Sequence, residues 1–519
     1  MFVELLVPIL VSIITVSDAS NILVVIPTPA YSHQISLRPI WKELLANGHQ
    51  ITLATTNPIQ DPSLDNLKEI DMHETYSLMS SFYSQLPKVN KFKSISLAHE
   101  TLDSILDYQL SKYLLPSIRN ETIYDLVIVE SLLPEYLTFG DYFQCPTIMI
   151  ASFEVTNMVY NYVGNPTNPA VYPDMLLPIV AGKLNFKERL VSFLYDHLFH
   201  LYKIFISYPT RRKILEKYFG QSVRYIEDLY YDIDLLMLNV NPIINDIKPV
   251  GPATISFGGA IHVLPAKPLP KDLQEYLDSA TEGCIYFSLG TNSKSIHLEQ
   301  KKIEIIKEAL GELPYKILWK FESEEVTNLP NNIKLISWVP QQDILRHPNV
   351  KLFITQGGIQ SLEEAIVNHV PMAMLPVFGD QEANAKRMEL KGIAKIIPHQ
   401  PLPDKDEFKR IIFELINDSK YKDNIIKIAN LLLDQPMGGV EKAVWWIEYV
   451  IRHKGAKHLR NPALDVPFYQ YYSLDVIAAL LLITYILFKL VLIVATIMLQ
   501  IGRTLLSFVK IKNQKKKTN

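Results

Sequence analysis

At 519 residues the chain exceeds what one ordinary hydrophobic core organises, so two or three domains are expected. Its 48% hydrophobic and 20% charged residues belong to a folded protein, and a net charge of −3 offers no field for nucleic acid. Two cysteines, Cys145 and Cys284, exclude a disulfide framework or a four-cysteine zinc site, and their apolar surroundings predict buried thiols.

Residues 1–19 read as a signal peptide. Leu5 to Val16 is almost wholly apolar, and Ser17-Asp18-Ala19 offers small residues for cleavage, although Glu4 stands where a cation is usual. A strand follows at Ile22 to Ile26, then a loop from Pro27 to Ser32. The next helix is expected from about Ile35 to Asn47, with Ile35, Ile40, Leu44 and Leu45 as its apolar face and Gly48 as its stop. Gln50 to Ala54 and Leu126 to Val129 read as further strands. This alternation predicts an α/β fold with a doubly wound parallel sheet. The helical, aromatic stretches Glu74 to Leu115 and Asn185 to Phe219 carry no recognisable chemistry and suit the walls of a substrate cavity.

Between Asn241 and Lys271 the prolines Pro242, Pro249, Pro252, Pro265, Pro268 and Pro270 cluster, which predicts an interdomain linker. A second βα series then runs through Cys284–Leu289, Lys316–Trp319, Ile333–Ile336, Val350–Thr355 and Pro371–Leu375. The segment Phe353 to Gln381 is its most informative part: a strand, the glycine turn Gly357-Gly358, a helix at Gln360 to Asn368, a second strand, and Phe378-Gly379-Asp380-Gln381. Polar residues at the ends of such strands lie on the edge where ligands bind. Glycines there let backbone N–H groups approach a phosphate, and a helix N-terminus favours its charge. In the same half, Tyr286 to Thr291 is a strand ending in a small-residue turn. Ser337-Trp338-Val339-Pro340-Gln341 presents a Trp beside a strand end, where its face can stack on a base.

Val476 to Leu499 is apolar except for Lys489 and is expected to span a membrane. Phe468, Tyr469, Tyr471 and Tyr472 precede it, and Arg503, Lys510, Lys512 and Lys515 to Lys517 follow it. Lys489 near the centre costs ~2.5–3.5 kcal/mol and is expected to snorkel. With the signal peptide, this places the body in a lumen and a short basic tail in the cytosol. Lys516-Lys517 resembles a dilysine retrieval signal, so a single-pass type I protein of the endoplasmic reticulum membrane is expected. Asn120-Glu121-Thr122 and Asn417-Asp418-Ser419 are then glycosylation sequons.

Taken together these motifs resemble the UDP-glycosyltransferase family. Phe353 to Gln381 matches the family signature at Gly358, Ser361, Glu364, Pro371, Pro376, Asp380 and Gln381. Trp338 to Gln341, Asp434-Gln435-Pro436 and Trp446 to Arg460 extend the likeness over the chain. The signal peptide, span and basic tail resemble the membrane-bound animal branch. Gln356, where many members have His, and the run Tyr286 to Ser295 look insect-like.

The resemblance implies a GT-B fold of two facing Rossmann-like domains plus a C-terminal transmembrane helix. The expected organisation is 1–19 signal peptide, 20–245 acceptor-binding domain, 246–435 nucleotide-sugar-binding domain, 436–475 C-terminal helices and juxtamembrane segment, 476–499 transmembrane helix and 500–519 cytosolic tail. Trp338 would stack on uracil and Gln341 would lie by the ribose. Glu364 would accept its two hydroxyls. Thr291, Gln356, Gly358 and Ser361 would hold the diphosphate, and Asp380 and Gln381 would read the sugar.

The family's general base is a His in the first βα loop, where His33 stands, just before the expected helix. The positive helix end there would keep it neutral. Its partner in the family is an Asp; this chain has Glu130, one methylene longer. Asp125 is the competitor, better suited to a turn. Asp232-Ile233-Asp234 spells a DxD, but the family neutralises the diphosphate with backbone groups, so no metal and no cofactor are assigned.

The implied activity is inverting transfer of a hexosyl group from a UDP-sugar to a hydroxyl of a small lipophilic acceptor, a role in detoxification. UDP-glucose is the expected donor and UDP-glucuronate the alternative; homo-oligomerisation is left open. A non-catalytic UDP-sugar-binding partner subunit is a second reading, suggested by Glu130. A dinucleotide oxidoreductase is excluded, because no G-x-G-x-x-G follows Ile26.

Overall fold

The computed structural model describes residues 19–85, 91–118, 123–291, 295, 298–322, 328–377 and 379–515. The expected signal peptide, except for Ala19, lies outside these residues, as do Asn120 and Lys516-Lys517. The first sheet has seven strands: β1 (Asn21–Ile26), β2 (Gln50–Thr55), β3 (Leu67–Asp71), β4 (Leu126–Glu130), β5 (Thr147–Ala151), β6 (Leu235–Leu238) and β7 (Thr254–Ser256). Their order is β3-β2-β1-β4-β5-β6-β7, and every neighbouring pair is parallel. Helices cover both faces of such a sheet. Its central strands are therefore continuous apolar runs, with Ile22 to Ile26 wholly buried.

Two expectations need correction here. The proline-rich stretch 241–271 is more than a linker, since its middle forms β7. An edge strand has a single neighbour, which is where nearby prolines are tolerated. The helix expected from Ile35 to Asn47 is two helices, α1 (Tyr31–Ile35) and α2 (Arg38–Ala46). Pro39 sits in the first turn of α2, where its missing N–H costs nothing, so it opens a new helix. His33 thus lies inside a one-turn helix rather than ahead of a long one, and a five-residue helix has little dipole to act on it.

The second sheet has six strands: β8 (Cys284–Ser288), β9 (Lys316–Lys320), β10 (Ile333–Ile336), β11 (Val350–Thr355), β12 (Met372–Met374) and β13 (Ala394–Ile396). Their order is β10-β9-β8-β11-β12-β13, again parallel throughout. Successive residues of β8 feed opposite cores. Cys284 and Tyr286 join one buried cluster, while Ile285 and Phe287 join the other. Cys284 is buried and its thiol is pushed up to about 12 by that burial. Cys145 is only partly buried, contrary to expectation, because it follows the exposed C-terminus of a short helix.

The helix Gly439–His453 returns to the first half. Ala443, Val444, Ile447 and Val450 complete the core beneath the first sheet. Asn47 donates to Glu448 at 2.8 Å. Beyond the helix, Asp234 accepts the Ala456 N–H at 2.7 Å and the Thr147 N–H at 3.0 Å. Asp232 pairs with Arg224 and Lys457, both at 2.9 Å. The two acids of the DxD therefore clamp the returning chain onto the sheet.

Residues 462–519 form a separate unit. Its helix runs from Leu474 to Lys515, past both ends of the expected span, because nothing in the sequence stops it at Leu499. It is long and apolar enough to cross a membrane. The Lys489 ammonium lies 5.5 Å from the centre of the Tyr485 ring, a cation–π position that eases the cost of its charge.

Candidate active site

Both sheets reverse their strand order once, between β1 and β4 and between β8 and β11. Ligands bind in the crevice outside the carboxyl ends of strands at such a switch. At the first switch, α1 follows the loop after β1, and Glu130 ends β4. The His33 Nδ1 atom lies 2.5 Å from Glu130 Oε1, and the Thr28 N–H donates to Glu130 Oε2 at 3.3 Å. The Glu130 side chain is 1% exposed and that of His33 14%. A buried carboxylate therefore holds one ring nitrogen. The other, Nε2, has no hydrogen-bond partner among the described residues. The Phe153 ring meets the imidazole edge-on at 5.0 Å and fixes its plane. Asp125 instead accepts the Asn21 N–H at 2.8 Å, at the opposite end of β4.

At the second switch the turns after β8 and β11 touch. Gly290 has φ +82°, and a Cβ there would stand 2.6 Å from Gln356 Nε2; Gly357 has φ +97°, with Met374 Cε at 2.8 Å from its would-be Cβ. Only glycine fits either place. The helix Ile359–Val367 starts at Gly358 with no side chain capping it, so its first N–H groups stay open to an anion. The Gln356 amide oxygen is buried with no partner among the described residues, and Thr291 is exposed at the rim.

Beside this helix start, Gln341 Nε2 donates to Ser361 Oγ at 3.0 Å and to Glu364 Oε2 at 2.6 Å. Gln342 Nε2 donates to Glu364 Oε1 at 3.0 Å. The Oε2 atom keeps a lone pair for a further donor. Trp338 is 67% exposed. An indole left this open next to converging polar groups is poised for a flat ligand.

Beneath Glu364 lies a histidine that sequence reasoning missed. The buried His262 places Nδ1 3.4 Å from Glu363 Oε2 and Nε2 3.4 Å from Glu364 Oε1. Burial alone would push His262 down, but the two carboxylates lift it above the ordinary imidazole range. Burial pushes the Glu363 carboxyl up. The doubled acid Glu363-Glu364 was the available signal, since adjacent carboxylates on a helix, one of them facing inward, need a buried partner.

Asp380 precedes the helix Gln381–Leu390 and accepts from Asn384 Nδ2 at 2.7 Å. The Gln381 amide oxygen accepts the Val377 N–H at 2.9 Å. Burial pushes the Asp380 carboxyl up, while Asn384, Arg387 and His33 pull it back. Phe153, which meets His33, lines one cavity with Asp380, so the two switch points face each other. Gln360 Nε2 crosses between the halves to the Ser152 carbonyl at 3.0 Å. Asn384 was findable, since it stands four residues from Asp380 on one helix face. Asn417, at the exposed end of the helix Lys405–Asn417, lies well away in sequence.

The family model for UDP-glucoronosyl and UDP-glucosyl transferase matches residues 21–518. The chain is 32% identical to the UDP-glycosyltransferase UGT5 of Dactylopius coccus, over 91% of either chain. It is 30% identical to human UDP-glucuronosyltransferase 2B15, over 87% of this chain and 88% of that one. Among solved structures, Os79 from O. sativa in complex with U2F and trichothecene superposes with a TM-score of 0.55 at 17% identity. That match covers 83% of this chain and all 100% of the other. The two facing parallel sheets are thus a GT-B fold.

Proposed function

From the premise that this chain belongs to the UDP-glucuronosyl and UDP-glucosyl transferase family, and so moves a sugar from a UDP-sugar to an acceptor, we propose that His33 is its general base. The observation that carries this is the 2.5 Å contact between His33 Nδ1 and Glu130 Oε1. It leaves Nε2 to take a proton from an acceptor hydroxyl. Glu130 holds the ring orientation and stabilises the imidazolium as it forms. The acceptor oxygen then bonds to the anomeric carbon as the bond to the UDP oxygen breaks on the opposite face. One such displacement turns an α-linked donor into a β-glycoside.

In this reading Trp338 stacks on uracil and Gln341 and Glu364 hold the ribose. Thr291, Gln356, Gly358 and Ser361 meet the diphosphate at the open helix end, whose N–H groups offset the charge of the leaving UDP. Asp380 and Gln381 read the sugar hydroxyls. Residues 20–245 and 246–435 serve as acceptor and donor domains, with β7 assigned to the first. The acceptor is a small lipophilic alcohol or phenol. Glucose is the favoured sugar. A glucuronate carboxylate would need an unpaired cation near Asp380, and the cation among the described residues lining that cavity, Arg387, already faces Asp246 and Glu154. The reading also places the body in the lumen of the endoplasmic reticulum, anchored by the helix from Leu474.

A UDP-release assay on membranes carrying the full chain tests this, with UDP-glucose set against UDP-glucuronate and a panel of phenols and steroids. Acceptor-dependent release is expected with UDP-glucose. His33→Ala should cut turnover about 10²–10⁴-fold while UDP affinity holds; unchanged turnover removes His33 from the mechanism. UDP binding with no acceptor-dependent release would favour the non-catalytic partner subunit.

A further inference from the structure

Of three consecutive residues after β5, the outer two touch the opposing half and the middle one touches His33. Ser152 offers its carbonyl to Gln360 in the helix Ile359–Val367. The Phe153 ring steadies His33. Glu154 reaches the helix that follows Asp380, with Oε2 3.6 Å from Arg387 Nη2. Both partners of that last pair are 4% exposed. Burying two charges is costly unless opposite charges accompany them, and each has a further ion-pair partner. Lys248 Nζ lies 2.6 Å from Glu154 Oε1, and Arg387 Nε lies 3.2 Å from Asp246 Oδ2.

The remaining arm of Arg387 points at the sugar end of the site. Its Nη1 donates to Asn384 Oδ1 at 2.9 Å. A guanidinium only donates, so the amide oxygen of Asn384 must face it, and the amide nitrogen must face away. That nitrogen donates to Asp380 Oδ2 at 2.7 Å and to the Gly357 carbonyl at 3.0 Å. One amide, oriented by Arg387, thereby fixes both the carboxylate beside the sugar and the glycine turn beside the diphosphate. Arg387 itself is held by a carboxylate from the other sheet.

We infer that Arg387 is a positioning residue which, docked against Glu154, sets Asp380 through Asn384 and so ties recognition of the donor sugar to closure of the cleft. This rests on the proposed donor site. UDP alone does not reach Asp380 and depends on Arg387 only through the glycine turn, which the Gly357 N–H contact to Thr355 Oγ1 also holds. The sugar does reach Asp380, and its binding gains from the closed arrangement.

The test uses the purified full chain and compares calorimetric affinities for UDP and for UDP-glucose, then kcat and KM. Arg387→Met should weaken UDP-glucose about tenfold or more and UDP less than about twofold. Arg387→Lys, which keeps the charge but loses the fork, should show the same split, as should the isosteric Glu154→Gln. The double variant Glu154→Gln/Arg387→Met should be no worse than Arg387→Met alone. A parallel loss of both affinities, additive effects, or unaltered UDP-glucose binding in Arg387→Met would overturn the inference. Because the binding ratio needs no turnover, a chain that binds UDP-glucose but transfers nothing would refute the proposed activity and leave the Arg387 test intact.

Discussion

One methylene separates Glu130 from the aspartate that the family pattern expects, and the end of β4 uses it. The longer side chain spans from the strand terminus to His33 Nδ1 and still accepts the Thr28 N–H with its second oxygen. Charge and reach can be separated. Glu130→Gln keeps the reach and removes the charge that stabilises an imidazolium, so kcat should fall about 10²-fold, within the usual range for general-base assistance. Steady-state kinetics at saturating donor check this, and a wild-type kcat would mean that His33 never carries the proton. Trp338 poses a simpler question. Base–aromatic stacking contributes ~1–3 kcal/mol by alanine substitution, so Trp338→Ala should weaken UDP binding by about five- to more than a hundredfold. Unaltered affinity by calorimetry would leave the exposed indole without that role.

Among the elements, the helix Asn157–Tyr162 depends on a buried acid. Asp174 accepts the Asn157 N–H at 2.8 Å and the Leu176 N–H at 3.1 Å. Burial nevertheless pushes its carboxyl up to about 6, against the pull of Lys248. The folded chain therefore keeps a proton that the unfolded chain gives up, in the window from about pH 4 to pH 6. Stability falls as pH rises through that window and is flat above it, a cost on the order of 3 kcal/mol. Asp174→Asn removes the charge but keeps one acceptor oxygen, so one of the two N–H contacts is lost with it. It should flatten the dependence of the thermal midpoint on pH between 4 and 6; an unchanged profile would mean the acid is ionised at no cost.

Most interior strands were legible in the sequence as short apolar runs, β8, β9, β11 and β12 among them, and so was the edge strand β10; the interior strands β5 and β6 were not read. The other edges were missed as well. β3 reads Leu-Lys-Glu-Ile-Asp, and β7 and β13 are three residues long. Each has one neighbour, so the pairing that defines it lies in another part of the chain. The same distinction runs through the site. Trp338, Gln341, Ser361, Glu364 and Asp380 sit within one βα series, and their proximity follows from local spacing. His262, Glu154 and Arg387 come from a coil, a loop and a helix flank. No periodicity marks them, and only the packed fold shows what they face.

At the scale of the whole molecule, the helix from Leu474 is long and apolar enough to cross a membrane, and membrane attachment through it is the expected outcome. Removing residues 462–519 should move the protein from the membrane pellet to the supernatant after carbonate extraction. Retention in the pellet would instead direct attention to the body, where Phe186, Leu190, Leu194, Leu198, Leu201 and Phe205 are exposed along one stretch.

The helix Gly439–His453 bears on how the protein is made. The first sheet is finished early in the chain, yet Ala443, Val444, Ile447 and Val450 from far downstream complete the core beneath it. The second sheet lies between these pieces in sequence, an insertion tied at both ends to its neighbour. Domains ordinarily fold from the N-terminus as they emerge from the ribosome. This first domain must wait with an open hydrophobic face until the second has been translated. A nascent chain halted near Gly438 should remain protease-sensitive in its first half even though its first sheet is fully synthesised.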